Sequence, residues 1–171
     1  MSYHIRRIDR EIKDENELKS IIERGKYGVI GLSRNNEPYV VTLNYGYDKV
    51  ENVLFFHCGK EGQKIDFIKS NPQTCVTIIE DDGFDSESCD LSYKSIVLRG
   101  KIHFISDPDD VDRGIRLMIS QLEKKNTGHF LAKLRTGNKS YDNLQMLKLT
   151  IDSISGKVRQ KNTAERKDPS S

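Results

Sequence analysis

The sequence predicts a mainly β domain, six antiparallel strands forming a barrel with flanking helices. Strand-like segments follow one another through short turns. Helical patterns occur only before the first strand and after the third and fifth, which is not a βαβ series. Closing such a set of strands also removes the exposed edges that an open antiparallel sheet leaves. At 171 residues the chain suits one domain with a sizeable core and is too short to expect two.

Each element has its own warrant. DENELKSIIERGK (14–26) opens with acids and spaces Leu18, Ile21 and Ile22 by three and four before Gly25. That is an amphipathic helix with its acids at the favourable end of the dipole. YGVIGLS (27–33) is strand-like, and RNNE turns the chain into a second strand, EPYVVTLNYGY (37–47). There Tyr39, Val41, Leu43, Tyr45 and Tyr47 share one face, and Val40, Thr42, Asn44 and Gly46 share the other. The second face is small and polar, which suits close approach of a flat ligand to the backbone. DKVEN leads into VLFFHC (53–58), a third strand completing a meander.

EGQKIDFIKS (61–70) patterns as a helix that must stop before Asn71-Pro72. QTCVTIIE (73–80) is a fourth strand, and DDGFDSESCD (81–90) reads as an acidic, flexible loop. SYKSIVLRGKIHFIS (92–106) alternates most clearly, with Ile96, Leu98, Ile102 and Phe104 facing in and Ser95, Arg99, Lys101 and His103 facing out. After Asp107-Pro108 a further helix carries Val111, Ile115, Met118, Ile119 and Leu122 on one stripe. Residues 125–143 read as irregular or weakly helical, and LQMLKLTIDSISGKV (144–158) closes the set as a sixth strand. Residues 1–160 are thus expected to form the domain, with 161–171 a charged, disordered tail.

Bulk properties narrow the function. Apolar residues make up 35% and charged residues 32%, polar for a lone domain, so a partner subunit or a ligand is expected to add stability. A net charge of +2 creates no strong field toward nucleic acid or an acidic membrane. The opening MSYHIRRIDREIKDENE has no apolar run, so neither a signal peptide nor an anchor is expected. Cys58, Cys75 and Cys89 lack CxxC spacing and fit reduced thiols in a cytoplasm. No pair among His4, His57, His103 and His129 has the spacing of a zinc site.

The candidate site is FFHCGKEGQK (55–64). Backbone N–H groups at a helix start attract an anion, and flanking lysines add charge. Lys60 and Lys64 with Gln63 therefore read either as a phosphate cradle or as an ordinary solvated helix start. His57 shares a strand face with Val53 and Phe55, as a rim residue with a hydrogen-bonded ring or as an acid, base or nucleophile beside a ligand. Cys58 points to the opposite strand face, so the two do not form a dyad. Ser95 and Arg99, on one face, either line a polar groove or are the wet side of a sheet.

The order of these segments carries a resemblance. RRIDREI, EPYVVTLNYGY, LFFHCGKEGQKIDFIKSNPQTCV and SYKSIVLRGK together resemble the nitroimidazole-resistance (Nim) family, over about residues 4–105, with a looser echo in LKLTIDSISGKV. That family belongs to the pyridoxamine 5′-phosphate oxidase-like group with the flavin-binding split barrel. The resemblance implies a homodimer with flavin mononucleotide (FMN) in a groove between subunits. It places backbone contacts to the flavin on Val41, Thr42, Leu43 and Asn44, and the phosphate at the strand-to-helix segment. There Gln63-Lys64 stands where the oxidases have an arginine-lysine pair, and Ser95 where they have a glutamine. A histidine stands at His57 in Nim-type proteins and is implicated in handling reductant or substrate. Basic residues that would hold pyridoxal phosphate are not evident near the carboxyl end, although Arg135 and Lys139 lie in RTGNKSYDN.

Two function classes follow. One is an FMN-dependent oxidoreductase reducing a small electrophile such as a nitroaromatic ring, with the redox chemistry supplied by the cofactor. The other is a non-enzymatic flavin- or haem-binding and sensing module on the same fold, with His57 or His103 as axial ligand.

Overall fold

The computed structural model describes residues 5–86, 90–122 and 144–159, the side chains of Asp85 and Asp90 aside. A 3-10 turn at Ile8–Arg10 precedes helix α1 (Glu15–Arg24), whose Asp14 side chain caps its start. Then come β1 (Tyr27–Arg34), β2 (Glu37–Asn44), β3 (Gly46–Asp48), β4 (Val53–Gly59), α2 (Gln63–Ser70), β5 (Gln73–Asp85), β6 (Asp90–Ile105), α3 (Pro108–Leu122) and β7 (Leu144–Arg159).

These strands form one antiparallel sheet in the order β2-β1-β5-β6-β7-β4-β3. The two edge strands are consecutive in the chain, separated only by Tyr45. Two peptide units span at most about 7 Å, so the sheet must curl until its ends meet. The result is a barrel closed by the chain but split along the seam between β2 and β4, where no ladder forms among the described residues. The expected count of six strands is corrected to seven among the described residues. What the alternation presented as one strand, 37–47, changes partner at Tyr45, pairing with β1 before it and β4 after it. The three-strand meander is corrected likewise.

Inside the barrel, Ile30, Leu32, Leu54, Phe56, Val76, Ile78, Ile96, Leu98, Leu147 and Leu149 are buried. Helix α1 inserts Leu18, Ile21 and Ile22, and α2 inserts Ile65, Phe67 and Ile68. A second cluster, Val53, Phe55, Met118 and Met146, lies on the other side of β4 beneath α3. Phe104, expected inside, is 37% exposed at the barrel rim. The segment read as an acidic loop instead prolongs the β5–β6 hairpin to Asp85↔Asp90, with a bulge between Asp81 and Phe84 where Gly83 adopts φ +87. Asp81 accepts the Gly83 amide at 2.8 Å, so the acid makes the turn inside a strand pair. His4, Cys89, His129, Arg135, Lys139 and the tail 161–171 lie outside the described residues.

Candidate functional site

Strand β4 alternates as the sequence requires: Leu54, Phe56 and Cys58 point into the barrel, while Val53, Phe55 and His57 point out. His57 sits opposite Met146 of β7 and is exposed at the end of the strand. The protein packed around the ring nevertheless lowers its pKa from the ordinary 6.5 by desolvation. The imidazole is therefore mostly neutral at pH 7, with one nitrogen to donate and one to accept.

Beyond β4 the chain turns through Lys60–Gly62 into α2. Gly62 has φ +112, a conformation that favours glycine, and no side chain caps the helix after it. The amides of Ile65 and Asp66 bond back to the Gly62 carbonyl at 2.9 and 3.3 Å. Those of Gln63 and Lys64 precede the first intrahelical bonds and have no partner within the helix. Among the described residues no carboxylate pairs with Lys60 or Lys64, and the Gln63 side chain makes no hydrogen bond. Glu61 and Asp66 flank them, both exposed. Residues 60–64 thus set two lysines and an amide side chain at the helix start, none of them paired or hydrogen-bonded among the described residues.

Lys64 is half-buried, and its charge acts on the Cys58 thiol, whose pKa burial nonetheless raises. His57 is on the outer side of β4, and desolvation is the cause of its shift. Strand alternation sets the His57 ring and the Cys58 thiol on opposite faces.

Val41, Thr42, Leu43 and Asn44 form the last half of β2. This strand pairs residue by residue with β1, from Glu37↔Arg34 to Asn44↔Tyr27, and among the described residues no strand pairs with its other side. Its outer backbone N–H and C=O groups therefore border the seam without a ladder partner among those residues. Val41 and Leu43 lean onto the core while Thr42 is exposed and Val40 is 63% exposed. Helix α2 rests on the same strand through Tyr39 and Phe67, whose ring centroids are 5.1 Å apart. The free edge, the α2 start and the end of β4 consequently border one seam. Ser95 is placed elsewhere, on β6 between Ile79 and Lys157. Three strand spacings separate it from β2, roughly 14 Å along the sheet.

Two features escaped the sequence. Tyr27, Val40, Ile79, Phe84 and Leu91, each at least 52% exposed, all lie on the outer face of β2, β1, β5 and β6. Alternation showed which residues shared that side, but not that it would stay uncovered. A cavity of about 730 Å³ opens on this face, lined among others by Val40, Cys75, Arg99 and Ser153. Among the described residues no three His, Cys, Asp or Glu side chains are grouped to hold a metal ion, and no helix is long and apolar enough to cross a membrane.

The family model described as pyridoxamine 5′-phosphate oxidase matches residues 14–158. The chain belongs to that family. Its fold is similar to that of a candidate 5-nitroimidazole antibiotic resistance protein from Bacteroides thetaiotaomicron, at a TM-score of 0.73 and 25% identity, covering 86% of each chain. It is also similar to the flavocytochrome Anf3 from Azotobacter vinelandii, at a TM-score of 0.75 and 20% identity over 92% of this chain and 73% of that one. The FAD and haem binding protein from Mycobacterium smegmatis gives a TM-score of 0.70 at 18% identity, over 88% and 74% of the two chains. A curated relative, an uncharacterised protein of Rhizobium meliloti, is 27% identical over 90 residues, 53% of this chain and 54% of its own length. The matched stretch spans about half of that relative. The fold is therefore an oxidase-type split barrel whose structural neighbours include flavin-binding proteins.

Proposed function

We propose that the protein is a homodimeric, FMN-dependent oxidoreductase that reduces a small electrophile, with nitroaromatic rings such as nitroimidazoles as the leading substrate class. The observation that carries this reading is the seam: a strand edge whose backbone groups have no ladder partner, bordering a helix start whose first amides and lysines have no partner, among the described residues. A planar ring with carbonyl and N–H edges suits the first, and a phosphate suits the second. Lys64, Gln63 and Lys60 would hold the phosphate, and the backbone of Val41, Thr42, Leu43 and Asn44 would meet the ring edge.

Bound FMN would supply the electron transfer. The chain's part is to bind, orient and shield. Neutral His57 donates a hydrogen bond to a bound acceptor, or, once protonated from solvent, passes that proton to a nitro oxygen as it is reduced and returns to the neutral form. The exposed apolar face of β2, β1, β5 and β6 is the surface for a second copy, because five large apolar side chains stand on it among small ones. Ser95 lies on that same face and would join the site from within the dimer interface.

A second reading is favoured by the two haem-containing neighbours together with exposed His57 and His103, which share the outer side of the sheet. In it the protein binds flavin or haem without turnover. Measuring flavin occupancy and nitroaromatic reduction on one sample separates the two. Turnover proportional to bound FMN supports the oxidoreductase; haem absorption, or bound flavin without turnover on any nitroaromatic, supports the binding module.

A further inference from the structure

The chain changes partner strand at Tyr45, and three contacts hold that point. The Tyr45 hydroxyl donates to the Ile22 carbonyl at 2.6 Å, at the C-terminal end of α1. Its ring, fully buried, meets Phe56 at 6.2 Å between centroids. Gly46 lies so close to α3 that a Cβ there would sit 2.4 Å from the Met118 nitrogen. From α3, Gln121 reaches the same helix end, its Nε2 donating to the carbonyls of Ile22, Glu23 and Gly25 at 2.8, 3.1 and 2.8 Å.

These contacts have a consequence for the seam. Among the described residues β2 has a ladder on one side only, so beyond its pairing with β1 the Asn44 end is held by whatever fixes the next residue. We infer that Tyr45 is a positioning residue: its hydroxyl, anchored on α1, fixes the free backbone edge of Val41–Asn44 in register with the cofactor. This inference rests on the flavin reading above and extends it to a residue that touches no ligand. Buried Tyr45 cannot reach the seam itself, since its side chain is committed to the helix end and the barrel interior.

The test compares FMN affinity, by titration of flavin fluorescence, in the wild type, Tyr45→Phe and Ile102→Val. Tyr45→Phe keeps the ring and removes one buried hydrogen bond. Ile102→Val removes one methyl from the core on β6 and controls for general loss of stability. Hydrogen exchange of the amides from Val41 to Gly46 supplies the readout that a merely structural role would not move. The expected result is FMN binding weakened about three- to tenfold in Tyr45→Phe, with faster exchange confined to 41–46, and unchanged affinity in Ile102→Val. Equal affinity in wild type and Tyr45→Phe, or an equal loss in Ile102→Val, overturns the inference. Should Tyr45→Phe not fold, Gln121→Leu removes the other donor onto the Ile22 carbonyl and is judged by the same criterion. A wild type that binds no FMN brings down the flavin reading, and this inference with it. A wild type that binds while Tyr45→Phe binds equally well brings down only the inference.

Discussion

Replacing Lys64 with alanine removes the half-buried cation beside the α2 start, and the structure bounds what that does. Lys64 has no carboxylate partner among the described residues, so its loss strands no buried charge and the fold should lose little. Its side chain is only partly exposed, so a phosphate there would be screened less than at an open surface. A charge-assisted contact of this kind contributes about 1.5–3 kcal/mol. FMN binding should therefore weaken by roughly tenfold to a little over a hundredfold. The amides of Gln63 and Lys64 survive the substitution, so some binding remains. Lys60 is exposed on the turn, and Lys60→Ala should cost less. The assay is fluorescence titration of apoprotein with FMN and with riboflavin, which lacks the phosphate. Lys64→Ala should erase most of the wild type's preference for FMN and leave riboflavin binding alone. An unchanged FMN affinity, or an equal loss for both flavins, refutes the phosphate assignment.

Other outcomes follow from the same geometry. His57→Ala should leave folding and FMN content nearly intact while slowing nitroaromatic turnover about 10²–10⁴-fold; flavin occupancy and rate on one sample check this, and normal turnover per flavin removes His57 from the chemistry. Ile79→Asp places a charge in the middle of the exposed apolar face, where Ile79 is 60% exposed; light scattering should show monomers that have lost FMN, and a flavin-loaded dimer would refute the assigned interface. Glu51 pairs with Arg113 at 2.6 Å and Lys148 at 2.7 Å, and the Arg113 hydrogen bond above all draws its pKa down to about 2 from an ordinary 4.5. A depressed carboxylate contributes stability above the unfolded value that is lost as pH falls through the folded one. Glu51→Gln should therefore flatten the loss of stability between pH 4.5 and 2 in acid denaturation, with no pH-dependent difference from the wild type below it.

How much of this was legible in the sequence depends on whether local pattern or tertiary demand decided the element. Leu18, Ile21 and Ile22 are buried as their spacing required, and the helix in 61–70 stops before Asn71-Pro72. Ile96 and Leu98 face in while Ser95 and Arg99 face out. The break at Tyr45 was invisible because Tyr39, Val41, Leu43, Tyr45 and Tyr47 alternate straight through it. Only the closure of the barrel requires one strand to serve both edges of the sheet, and periodicity carries no such information. The β5–β6 hairpin escaped for a different reason. Acids and glycine read as loop, yet Asp81 spends its carboxylate on the Gly83 amide inside a bulge. At the site, the Gly62 turn and the unpaired lysines could be read from HCGKEGQK. The separation of His57 from Cys58 follows from strand alternation. The free edge of β2 was accessible through resemblance alone, because its exposure depends on the sheet order.

The central claim is that the seam between β2 and β4 binds FMN. Its most direct test is the visible spectrum of the purified protein after incubation with excess FMN and gel filtration, followed by quantification of the cofactor released on denaturation. Flavin absorption and one FMN released per subunit are expected. A colourless protein that takes up no FMN, or a Soret band in place of flavin absorption, would contradict it.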